Sequence, residues 1–158
     1  MNTLLRAVVI AVAFSIASPS IAGEAVPVNA TFGIQWTPVD WADPADRITE
    51  SLGAAGLPGG STIGIAARDH LNTITGRVGS DYVILAFSET DWVYAAYADL
   101  PAGYDPATNT ASFAGPLNVV GGEGRFVGAT GTLTIRSRIL FSLPVGTFAI
   151  KGVIKTAD

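Results

Sequence analysis

The sequence predicts an all-β protein whose strands run antiparallel and close into a barrel of about eight. Three observations lead there. Several segments alternate apolar and polar residues with period two, or run apolar for strand lengths. Past residue 22, no apolar pattern at i, i+3, i+4, i+7 is sustained over three turns, so no helix is long enough for a parallel crossover. The 18 glycines and 9 prolines punctuate the chain at short intervals, as turns between strands require. Closure into a barrel removes the edges of an open sheet, which favours it over a two-layer sandwich.

The elements follow in order. Ala30, Phe32, Ile34 and Trp36 share one face of a first strand, with Thr31, Gly33 and Gln35 on the other. Residues 37–60 carry Pro38, Pro44, Pro58 and Gly59-Gly60 and are expected as a long loop, a candidate lid. Within it Asp46 could cap a short helix over 47–52, stopped at Gly53. Strands are expected over 61–68 and 71–78, joined by a turn near Asp69, then over 81–88 and 92–100 as a hairpin across Glu89-Thr90-Asp91. Residues 101–110 read as a second loop, from Pro101-Ala102-Gly103 and Asp105-Pro106. Strands return over 111–120, 132–142 and 147–156. In the last two, Leu133, Ile135, Ile139, Phe141, Phe148, Ile150 and Ile154 oppose Arg136, Arg138, Lys151 and Lys155. An outer-membrane barrel would need those four cations turned inward beneath a continuous apolar band.

Composition bounds the chemistry. At 158 residues one domain is expected. With 49% hydrophobic and 14% charged residues the chain is too apolar to remain disordered. Thirteen acidic against nine basic side chains give a net charge of -4, which excludes a nucleic-acid grip by a basic face. The absence of cysteine and the single histidine exclude disulfides, thiolate or multi-histidine metal sites and a cysteine nucleophile. Residues 1–22 read as a secretory signal: Arg6, an apolar run over 7–16, then small residues ending in Ser20-Ile21-Ala22. Cleavage there would leave a single domain, 23–158, secreted or periplasmic. It would have no membrane attachment, since that run is short for a span and no cysteine follows for acylation.

The most distinctive stretch is 119–131, Val-Val-Gly-Gly-Glu-Gly-Arg-Phe-Val-Gly-Ala-Thr-Gly, with five glycines in thirteen residues. It has no Gly-Lys-Ser/Thr of a phosphate loop, and Gly122, Gly124 and Gly128 miss the dinucleotide spacing by one residue. The residues read as a structural corner between strands, with Gly121, Gly122, Gly124, Gly128 and Gly131 supplying tight geometry and Phe126 its buried anchor. The stretch resembles the Gly-Gly-Thr-Gly-Arg/Lys-Phe-x-Gly-Ala-x-Gly signature of the allene oxide cyclase and dirigent superfamily, with Glu123 in place of Thr. That resemblance implies a calycin-like eight-stranded antiparallel barrel with an apolar cavity, often a homotrimer, working without a cofactor. No catalytic residue of the family transfers to a position here.

Candidate site residues come from the aromatic and basic sets. Tyr82, Trp92 and Tyr94 lie in adjacent expected strands beside the small Ala95, Ala96 and Ala98, and such rings line the lumen of ligand-holding barrels. Arg136 and Arg138 share a strand face and could clamp a carboxylate. His70 could act as a general base oriented by Asp69 or Asp81, though its setting reads as a polar turn. Asp40, Asp43 and Asp46 could offer oxygen ligands, but lack the spacing of a calcium loop. The expected function is lumenal binding of an apolar or aromatic small molecule. A cofactor-independent cyclase or isomerase on the same barrel, and a structural or interaction module without ligand, are the alternatives. A buried acid in the cavity wall would favour catalysis; rings and aliphatic groups alone would favour binding.

Overall fold

The computed structural model describes residues 23–158; the leader expected over 1–22 lies outside the described residues. The strands are β1 (Ala25–Asp40), β2 (Arg47–Gly56), β3 (Thr62–Asn72), β4 (Arg77–Ala86), β5 (Trp92–Ala96), β6 (Leu100–Asp105), β7 (Thr110–Glu123), β8 (Gly131–Leu140) and β9 (Val145–Lys155). All pairings between them are antiparallel. They run β1-β2-β3-β4-β5-β7-β8-β9, and β9 returns to β1, so the sheet is a closed eight-stranded barrel.

β6 is the extra strand, and it continues β5 along the same gap. β5 pairs Val83–Ala86 of β4, while Leu100 and Pro101 of β6 pair Val78 and Arg77 further along. On the other side β6 pairs the first residues of β7 and β5 its last. The two short strands therefore form one stave broken at residues 97–99. Ser80 holds the break by donating its N–H to the Tyr97 carbonyl (2.9 Å) and accepting the Tyr97 N–H on its hydroxyl (3.0 Å). Asp99 sits at a φ of 52° and takes the Arg77 guanidinium bidentately, at 2.8 Å from Nε and 2.7 Å from Nη2.

Alternation decides the interior. Val28, Ala30, Phe32, Ile34 and Trp36 of β1 turn inward, and Leu117, Leu133, Ile135, Phe148, Ile150 and Ile154 meet the first four in one core. The middle of the lumen is filled by these side chains.

The structure corrects three expectations. Residues 47–56 are a strand, not part of a long loop with a short helix. Its inward positions are small because those of β1 are large: Ile34 faces Gly53 and Trp36 faces Ser51. That pairing leaves β2 without an apolar signal of its own, and its neighbours on both sides override its weak propensity. Asp69 and His70 are not a turn but lie within β3; the turn falls after Asn72, whose carboxamide accepts the N–H groups of Ile74 and Thr75. Finally, residues 100–105 are the second half of the broken stave rather than a loop.

Candidate functional site

The two ends of the barrel differ. At one end the corner between β7 and β8 closes the lumen. Gly124 and Gly128 take left-handed φ values of 61° and 71°, and Phe126, fully buried in the 3-10 turn Gly124–Phe126, packs against Phe87 with ring centroids 4.8 Å apart. Arg125 covers both rings from outside, its guanidinium 4.8 Å from the Phe126 ring and 5.7 Å from that of Phe87. Its own N–H donates to Asp91, 3.1 Å away. Gly121 and Gly122 lie in the last turn of pairing between β7 and β5, and Gly131 opens β8. A side chain on Gly122 would collide with Phe126 and the Trp92 carbonyl.

The other end is open. A cavity of about 460 Å³ lies there, walled by Trp41, Arg47, Leu71, Tyr104, Ala111 and Phe141 among others. Trp41 stacks on Trp36 with centroids 5.5 Å apart, and Phe141 meets both edge-on at 5.9 and 5.6 Å. Tyr104 stands 6.0 Å from Phe141, its hydroxyl donating to the Asn109 side chain at 2.8 Å. The Arg47 guanidinium lies 5.3 Å from the Trp41 ring centroid. The segment 41–46, which carries Trp41 over the opening, is tied down at two points. Thr73 donates both its N–H (2.9 Å) and its hydroxyl (2.8 Å) to the Pro44 carbonyl, and His70 Nδ1 meets Asp46 at 2.7 Å.

Tyr82, Trp92 and Tyr94 do not line this cavity. They lie on the outer face, half-buried, because Val83 and Leu85 of β4 and Val93 and Ala95 of β5 take the inward positions, as Tyr97 does just beyond β5. The compact β-branched and small residues fit the crowded lumen. These three rings lie outside, where Trp92 donates to the Ser88 carbonyl (3.0 Å) and Tyr94 to Glu123 (2.5 Å). Burial, then the Glu123 carboxylate, pushes the Tyr94 phenol up to about 12. Burial likewise raises Tyr82, beside Glu50. Arg136 and Arg138 are exposed on the outer face; Arg138 borders a second, more polar cavity of about 370 Å³ with Asp105, Thr108 and Ser112. Tyr104 is shared by both cavities.

Two titratable clusters flank β3. On the outer face His70 is held between Asp46 and Asp81, at 2.7 and 2.9 Å, and its pKa is raised chiefly by the Asp81 contact. Arg68 bridges Glu50 and Asp81 beside it. Inside, Asp69 receives the Tyr97 hydroxyl at 2.5 Å, and desolvation lifts its carboxyl from 3.8 to about 7. Asp69 is not among the residues walling the open cavity. Asp40 and Asp43 each close a local turn on a backbone N–H, and no metal-binding group occurs among the described residues.

Trp41, Arg47, Tyr104 and Phe141 were not singled out by sequence. The signal they share is a large side chain placed at or just beyond a strand end, on the ends that topology brings to one mouth. Compared with known proteins, the chain has no significant match among family models, curated proteins or solved structures.

Proposed function

We propose that the open end of the barrel binds an apolar or aromatic small molecule, without a cofactor. One observation carries this reading: a cavity of about 460 Å³ walled by Trp41, Tyr104 and Phe141 beside Leu71 and Ala111. Its size falls within the roughly 300–1,000 Å³ of small-molecule sites, and its wall joins many apolar groups to few polar ones. Val39, Ile74 and Leu143, exposed and each within two positions of a cavity-lining residue, add apolar surface for such a guest. The site lies at the mouth and not in the filled middle of the lumen.

Binding is favoured over isomerase chemistry because the acid suited to proton transfer, Asp69, lies outside the cavity wall and is engaged by Tyr97. The likeness of residues 119–131 to the allene oxide cyclase and dirigent signature is the basis for proposing a kinship with those barrels. The leader-like residues 1–22 are the basis for proposing export.

The test uses N-phenyl-1-naphthylamine, a neutral apolar fluorophore. Saturable one-to-one binding is expected for the purified protein, and loss of it in Ala111→Trp, which fills the cavity. Absence of saturable binding, or an Ala111→Trp variant that binds as the parent does, rejects the site.

A further inference from the structure

We propose that the molecule taken up at the open end is an aromatic acid, with Arg47 and Trp41 receiving its carboxylate. This rests on the mouth-binding reading and names the class of ligand.

The argument starts from donors without acceptors. Trp41 Nε1 and Arg47 Nε are both buried and neither has a hydrogen-bond partner among the described residues, although both side chains wall the cavity. The neighbouring indole is different: Trp36 Nε1 donates to the Leu140 carbonyl at 3.3 Å. Arg68, Arg77 and Arg125 each meet a carboxylate; Arg47, like Arg136 and Arg138, makes no ion pair among the described residues, but those two are exposed on the outer face whereas Arg47 walls the cavity. In a chain with thirteen acidic side chains an arginine at an apolar wall without a carboxylate is conspicuous. The nearby Asp46 is already engaged by His70.

Buried donors are normally satisfied, and two unsatisfied donors on side chains that wall the same cavity leave room for an acceptor beside them. Because one donor belongs to a permanently charged guanidinium, an anionic acceptor gains most, and a planar carboxylate matches its geometry. The rest of the guest must lie against the Tyr104 and Phe141 rings, whose centroids are 6.0 Å apart, and this favours a flat aromatic body. Cations are disfavoured by Arg47 itself.

The test compares 2-naphthoate with 2-naphthamide, a neutral compound of nearly the same shape, by calorimetric titration of the purified protein at neutral pH. Naphthoate is expected to bind on the order of tenfold more tightly, as one charge-assisted interaction allows. In Arg47→Gln the two should bind within about twofold of each other. Trp41→Phe, which keeps a ring and removes the N–H, should weaken naphthoate severalfold. Arg47→Met preserves the stem on Trp41 and replaces the Gln variant should circular dichroism show that one unfolded; with neither folded, the comparison in the parent protein decides alone. Naphthamide binding as tightly as naphthoate overturns the acid class and leaves the mouth site standing. Failure of both compounds while the neutral fluorophore still binds likewise overturns the acid class alone; failure of the fluorophore overturns the site itself.

Discussion

Tyr97 donates its hydroxyl to Asp69 at 2.5 Å inside the barrel, and the two residues are only 2% and 6% exposed. Desolvation outweighs this hydrogen bond and holds the carboxyl near 7 rather than 3.8, so folding takes up a proton at neutral pH. A raised folded-state pKa gives stability that is complete below the unfolded value and is lost as pH rises through the folded one. The loss from Asp69 therefore runs from about pH 4 to about 7. His70, raised by Asp81, acts in the same sense at the upper end of that range. Urea unfolding is expected to show the protein more stable at pH 5 than at pH 8, by on the order of a few kcal/mol. Asp69→Asn should remove most of the slope. A flat profile in the parent protein would contradict the assignment.

The Phe126 ring fills the closed end against Phe87. Phe126→Ala should cost about 3–5 kcal/mol, read as a shifted denaturation midpoint, since the rigid corner cannot collapse into the space left. Unchanged stability would mean that the end is sealed by other groups.

Gly124 has a φ of 61° and its missing side chain would run into Thr90 and Asp91. Gly124→Ala is expected to destabilise by more than about 2 kcal/mol, strain and collision acting together. Gly56, with open space around it and no positive φ, is the control: Gly56→Ala should stay within about 0.5 kcal/mol of the parent.

His70 is partly exposed, so its contacts contribute little to global stability. His70→Gln should change unfolding free energy by less than about 1 kcal/mol. It should nonetheless release Asp46 and quicken amide exchange across residues 41–46, leaving the Thr73 contacts with Pro44 as the remaining tie. Unaltered exchange in that segment would show that the Thr73 contacts suffice alone.

The barrel was legible in the sequence because β1, β8 and β9 announce themselves by alternation, and the corner around Phe126 because glycine has few other uses at that density. β2 was not legible: its inward residues had to be small opposite Ile34 and Trp36, so the strand carries no apolar signature, and its glycines, with Pro44 and Pro58 on either side of it, read as a loop. Asp69 reads as a turn residue because an acid within a strand gives no local hint of an interior partner, here Tyr97, 28 positions away. For the same reason the sequence leaves open which face of β5 Trp92 and Tyr94 take. Periodicity separates two faces of a strand, but the choice between them belongs to the packing of the whole ring of strands. The mouth residues lie far apart along the chain, and only closure brings Trp41, Arg47 and Phe141 together.

With Phe126 corking one end, whatever occupies the mouth must leave by the way it came. Its path out would pass Trp41 and the Tyr104 ring, which wall the opening. A competing guest could displace it only from the front, never by threading through from behind.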